Sequence, residues 1–126
     1  MIREDDGPRV MLQKRSAMSH EGGTWSCAGG ALDQGELPYE GALREATEEV
    51  GDIPGEPIFL GEYVFNPSAD WAYTTVVVEV DRRFGSSINF ETDDVGWFTI
   101  AEVDALPTHA GFAAAWPHLK PLITAT

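Results

Sequence analysis

Glu45, Glu48 and Glu49 crowd into one short stretch beside Arg44, with Glu36 and the pair Gly29-Gly30 upstream and Gly51 just beyond. Like charges three or four residues apart on a helix repel one another and cost stability. A hard divalent cation removes that cost, because Mg2+ prefers oxygen ligands and accepts a few carboxylates together with waters and substrate phosphates. Glycine, lacking a Cβ, lets the backbone approach such an ion closely. Arg44 precedes Glu48 by one helical turn and can pair with the carboxylates and orient them. The chemistry these types and spacings suggest is the holding of a hard divalent cation that also takes waters and substrate phosphates as ligands. The competing reading is an ordinary solvated acidic helix.

The stretch Pro38 to Val50 must supply the scaffold for these groups. Ala42, Leu43, Ala46 and Val50 recur at helical spacing and form an apolar stripe. Pro38 suits a first helical position, and Gly51 suits a left-handed residue ending the helix. Leu37 is a poor N-cap, so packing is expected to hold the start of the helix. At about 100° per residue, the three glutamates are expected together on a face away from the stripe. Around this helix the sequence predicts strands at Arg9 to Lys14, at Trp25 to Leu32 as two short pieces broken by glycines, and at Pro57 to Phe65. Further strands are predicted at Ala72 to Val80 and Val95 to Thr99, with a turn at Asn66 to Asp70. Ala101 to Leu106 reads as a short helical turn, and Phe112 to Ile123 as a C-terminal helix interrupted by Pro117 and Pro121. Strands, helix, strands, helix is the order of an α+β or α/β/α fold on a mixed sheet.

Written out, Gly30 to Asp52 is GALDQGELPYEGALREATEEVGD, with Gly30, Glu36, Arg44, Glu45, Glu48, Glu49 and Gly51 at diagnostic positions. This run resembles the Nudix box, the motif of hydrolases acting on nucleoside diphosphates linked to another group X. The resemblance implies an α+β fold of the Nudix type, an α/β/α sandwich with a mixed β-sheet between helices. It can be laid on the chain from Met1 to Ile123, and residues 1–126 are expected to form a single domain. It further implies Mg2+, with Mn2+ as a substitute, held by the Gly29 carbonyl, Glu45, Glu48 and Glu49. Arg44 would orient the carboxylates, and Glu36 would brace the loop. Glu91, six residues before Trp97, matches a further family glutamate that serves as metal ligand or base, with Asp93 and Asp94 as rivals in the same acidic loop. Which glutamate takes the proton stays open.

The resemblance extends to the 8-oxo-dGTP pyrophosphatase branch, where an arginine ends the strand before the loop. Arg15 stands at that position and is expected to reach an α-phosphate as a bidentate donor. His20 matches a second loop position near the nucleotide. Ala28 replaces the family's usual proline, and Asp52 replaces the last apolar position of the box. The asparagine with which some relatives read a purine is absent from the run Leu106 to Phe112, which leaves oxidised-guanine specificity in doubt and His109 as a base contact. Trp25, Trp71 and Tyr73 are stacking candidates or, more simply, core and rim residues. Glu79 points into either the cleft or the solvent. Family members also carry a full strand before the Asp-Gly turn, of which Met1 and Ile2 keep the apolar pattern here. The expectation is a start upstream of Met1 or a partner chain, as in a homodimer, filling the gap.

Composition narrows the function. Lys and Arg number 8 against 21 Asp and Glu, a formal net charge of −13. So acidic a chain has little with which to neutralise a nucleic-acid backbone, so no nucleic-acid polymer is expected as partner. A small nucleotide substrate would be repelled too unless metal ions supplied positive charge. The single Cys27 excludes an intrachain disulfide and fits a reducing, cytoplasmic setting. No apolar run reaches the length of a membrane span, and the charged MIREDDGPR start does not read as a signal peptide. Length and motif lean toward (d)NTPs cleaved to (d)NMP and pyrophosphate, with ADP-ribose, nucleotide sugars and dinucleoside polyphosphates as alternatives. Two other classes are weighed: a Nudix-fold module that binds nucleotides without hydrolysis, and a simple acidic Ca2+- or Mg2+-binding protein. The box keeps its glutamates and arginine, against the first. No Asp-x-Asp-x-Asp-Gly loop is present, against the second.

Overall fold

The computed structural model describes residues 1–16, 22–28, 34–68, 71–85 and 92–125. Its elements are β1 (Ile2–Glu4), β2 (Gly7–Arg15), β3 (Trp25–Ser26), α1 (Pro38–Val50), β4 (Ile58–Ser68), β5 (Trp71–Glu79), β6 (Thr92–Thr99), α2 (Ile100–Ala105) and α3 (Ala110–Thr124). The fold is α+β, as the order of elements predicts.

β2 organises one sheet. It pairs antiparallel with β6 from Arg9↔Thr99 to Arg15↔Thr92, and on its other edge with β1 (Ile2↔Arg9) and β3 (Gln13↔Ser26). β4 and β5 form a second antiparallel pair. The two are joined through Met1 and Ile2. The Met1 amino group donates to the Val78 carbonyl at 2.7 Å, the Val80 N–H donates to the Met1 carbonyl at 2.9 Å, and Ile2 bridges Val80 in parallel sense. That isolated bridge is a parallel contact between two otherwise antiparallel sheets, where a mixed sheet was expected.

Strand alternation sends Leu12 and Val77 to one face, where they are buried with Val103 of α2 and with Phe112, Ala115, Trp116, Leu119 and Ile123 of α3. Met11, Val76 and Val78 point the other way, toward α1. Helices therefore cover both faces of the sheet. No helix among the described residues is long and apolar enough to cross a membrane.

Four local expectations are corrected. α3 runs unbroken through Pro117 and Pro121. Both prolines are exposed, so water can satisfy the carbonyls deprived of an N–H, while the opposite face stays packed. The start of α1 is held not by packing, since Leu37 is 64% exposed, but by the Glu40 carboxylate accepting the Leu37 N–H at 3.0 Å. Gly51 ends α1 with φ 108° and ψ 176°, an extended mirror conformation rather than a left-handed helical one, and its N–H donates to the Thr47 carbonyl. Asn66 to Ser68 belong to β4 and not to a turn.

Candidate active site

Arg44 is the hub of the site. Its Nε and Nη2 donate to the two oxygens of Glu36 at 2.8 and 2.9 Å, and Nη1 donates to Glu45 Oε1 at 2.9 Å and to both Glu48 oxygens at 3.3 Å. The planar guanidinium suits this work, since a carboxylate meets it edge to edge through two parallel N–H donors. One cation thus ties the segment before the helix to two successive turns of α1.

Glu49 is separate. It is 8% exposed and accepts from Gln13 Nε2 of β2 at 2.8 Å. The expectation that all three glutamates lie on a face away from the apolar stripe is therefore corrected for Glu49. At about 100° per residue Glu49 falls beside Ala42, at the margin of the apolar stripe, whereas Glu48 on the far side of Glu45 is 57% exposed at its side chain. A buried carboxylate needs a hydrogen-bond donor, and Gln13, itself 6% exposed, provides one. Gln13 carries no motif and sequence reasoning missed it. Its signal is parity: it shares a strand face with Met11, which looks toward α1.

Arg15 ends β2, where the sequence places it, with its N–H bonded to the Thr24 carbonyl at 2.8 Å. Its guanidinium acts on Tyr73 through space, as do the Glu49 and Glu45 carboxylates. The Tyr73 phenol is pushed up by Cys27 first, then by burial and the two glutamates, with Arg15 opposing. Burial likewise pushes the Cys27 thiol up to about 11, and Glu49 adds to that. His109 is the N-cap of α3: its Nδ1 accepts from the Gly111 N–H at 3.0 Å, and its own N–H donates to the Trp25 carbonyl. Capping fixes its ring orientation. Trp25 packs edge-on against Phe98, a core role. Glu79 pairs with Arg3 at 2.8 Å. His20, Gly29 and Glu91 lie outside the described residues, as do the side chains of Trp71 and Asp93.

The donor set fits a hard cation, since Glu45, Glu48 and Glu49 offer carboxylate oxygens alone. Their present partners are Arg44 and Gln13, and among the described residues no three His, Cys, Asp or Glu converge closely enough to hold a metal. Charge and donor chemistry suit a hard divalent cation.

The model of the NUDIX domain matches residues 1–118. A Mycobacterium tuberculosis protein provisionally named 8-oxo-dGTP diphosphatase 3 is 38% identical over 124 residues, which is 94% of this chain and 57% of that protein. The chain thus spans little more than half the length of this relative. A nucleoside triphosphate pyrophosphatase/Nudix hydrolase fusion protein of Bifidobacterium longum is 49% identical over 113 residues, 86% of this chain and 23% of the fusion. Among solved structures, the Nudix hydrolase RenU of M. smegmatis superimposes with a TM-score of 0.85 at 30% identity, covering 98% of this chain and 81% of that one.

Proposed function

Because the chain belongs to the Nudix family, we propose that it is a metal-dependent pyrophosphohydrolase that cleaves a nucleoside diphosphate linked to X, with (d)NTPs going to (d)NMP and pyrophosphate. The observation that carries this reading is the Arg44 clasp on Glu36, Glu45 and Glu48, beside Glu49 held by Gln13. The box carboxylates are preset on one helix. The name of the M. tuberculosis relative supports a triphosphate substrate.

Glu45, Glu48 and Glu49, with the Gly29 carbonyl and Glu91, would hold Mg2+ or Mn2+. Such an ion, when bound, lowers the pKa of a coordinated water and neutralises phosphate oxygens. The chain's own residues do the rest. Arg44 keeps the Glu45 and Glu48 carboxylates from splaying apart, and Glu36 anchors Arg44. Gln13 fixes the Glu49 oxygen. Glu91 or one of the helix glutamates accepts the water proton on a carboxylate oxygen. Arg15 donates to an α-phosphate, while His20 and His109 border the nucleoside. The working place of such an enzyme is the cytoplasm.

A panel of (d)NTPs, 8-oxo-dGTP, ADP-ribose, nucleotide sugars and dinucleoside polyphosphates, assayed with Mg2+ or Mn2+ in 18O-labelled water, tests this. Phosphorus NMR should show pyrophosphate and a nucleoside monophosphate, with label on one product. Nucleotide binding without any phosphate product would replace the hydrolase with a sensor.

A further inference from the structure

The His109 imidazole has a fixed hydrogen-bonding sense. Its Nδ1 accepts the Gly111 N–H at 3.0 Å as the cap of α3. Gly111 lets the ring lie that close, since a Cβ there would come within 3.3 Å of Nδ1 and 3.4 Å of Cε1. A neutral imidazole has one donor and one acceptor nitrogen. With Nδ1 accepting, the proton sits on Nε2, at the edge of the ring turned from the helix. Moving it to Nδ1 would set donor against donor and lose the cap. The backbone is held as well: the His109 N–H donates to the Trp25 carbonyl at 2.9 Å, and the His109 carbonyl accepts from Ala113 at 2.8 Å.

The sheet sets where this ring stands relative to Arg15. β2 pairs with β3 through Lys14 and Trp25, and on its other edge Trp25 bridges Thr108 in parallel sense. The Trp25 N–H donates to the Pro107 carbonyl at 2.9 Å, so Pro107 to His109 run alongside β3. His109 thus lies two strand spacings across from Arg15, about 10 Å. Bridged partners share a face of a sheet, and side chains alternate along each strand. Lys14, Trp25 and Thr108 therefore take one face, that of Phe98 and the dense α3 core. Arg15 and His109 take the other, where Gln13 holds Glu49 and a hollow of about 640 Å³ lies between α1 and the sheet.

Resting on the nucleotide-hydrolase reading, in which Arg15 holds the α-phosphate, we infer that His109 reads the base as a hydrogen-bond donor. It favours purine nucleotides with a carbonyl at C6 over those with an amino group there. The separation of His109 from Arg15 matches the reach from a 5′-phosphate across the sugar to the far edge of a purine. The Nε2–H meets a carbonyl oxygen productively but faces an amino group donor to donor, leaving both unpaired. An asparagine amide at such a position offers donor and acceptor together and suits either base by turning over. The capped imidazole has no such freedom, because turning it over takes Nδ1 away from Gly111.

The test is calorimetric titration in Mg2+ with α,β-methylene deoxynucleoside triphosphates bearing hypoxanthine, adenine, guanine or 2,6-diaminopurine. The hypoxanthine nucleotide should bind at least about tenfold tighter than the adenine one, and the guanine nucleotide than the diaminopurine one. His109→Ser keeps a capping oxygen for the Gly111 N–H, so Tm should hold while both preferences fall to within about twofold. Equal binding within each pair, no binding of any of the four, or preferences that survive His109→Ser overturn the base contact. Turnover of the natural triphosphates is scored separately. A binding preference lost in His109→Ser but unaccompanied by hydrolysis leaves the contact standing and removes the hydrolase reading instead.

Discussion

At Arg44 a single guanidinium answers three carboxylates, and the consequences differ for each partner. Glu48 is exposed and Glu49 is buried, so the two should separate function from stability. Glu48→Gln is expected to cut turnover roughly a hundredfold or more while unfolding stability stays within about 0.5 kcal/mol. Gln13→Leu should lower stability by about 1–3 kcal/mol, because it takes the Nε2 donor from a buried carboxylate. Turnover beside urea titration checks both, and a Glu48→Gln protein of normal rate would remove the glutamate from the site. The Cys27 thiol, with its pKa pushed up to about 11 by burial, should react with iodoacetamide far more slowly at pH 8 than a free cysteine. The linkage sign follows: the folded state holds this proton more tightly, so the contribution is present below about pH 9 and is lost as pH rises through about 11. The Arg44 and glutamate spacing was legible in the sequence because four-residue steps on a helix imply contact. His109 as a cap was not, because the predicted start of the last helix fell two residues late, at Phe112 rather than Ala110.

Among the elements, α3 bears the greatest load. It places Phe112, Ala115, Trp116, Leu119 and Ile123 in the core, and Trp116 Nε1 also donates to the Asp104 carboxylate at 2.7 Å. Leu119→Ala should cost about 2–5 kcal/mol, measured by thermal or urea unfolding; a cost below 1 would mean α3 is not the closing layer. The sequence located this helix by its apolar repeat but broke it at the prolines, since local rules count a lost hydrogen bond and not the tertiary packing that outweighs it. The long strands were legible through β-branched runs such as Val76 to Val78. β1 was not: three residues, pinned by a turn and a parallel bridge, give no periodicity to read. The capping of α1 by Glu40 was open to a reader who weighed position N3 as well as Leu37.

For the whole molecule, the −13 charge and the two unlike faces of the sheet dominate. Self-repulsion among so many carboxylates should make Tm rise as NaCl goes from low to physiological concentration. Composition made the charge legible, but no pattern of residues reveals that one face is dense and the other hollow, because that is a matter of which strand neighbours meet. The hollow has a calorimetric consequence. Apolar surface left wetted in the native state is not newly exposed by unfolding, so the heat-capacity increment should fall below the roughly 1.5–1.9 kcal/mol/K usual for a chain of this length. The enthalpy of unfolding then varies less steeply with temperature, and the stability curve is broad and shallow, giving the protein similar resistance to unfolding in the cold and in the warm.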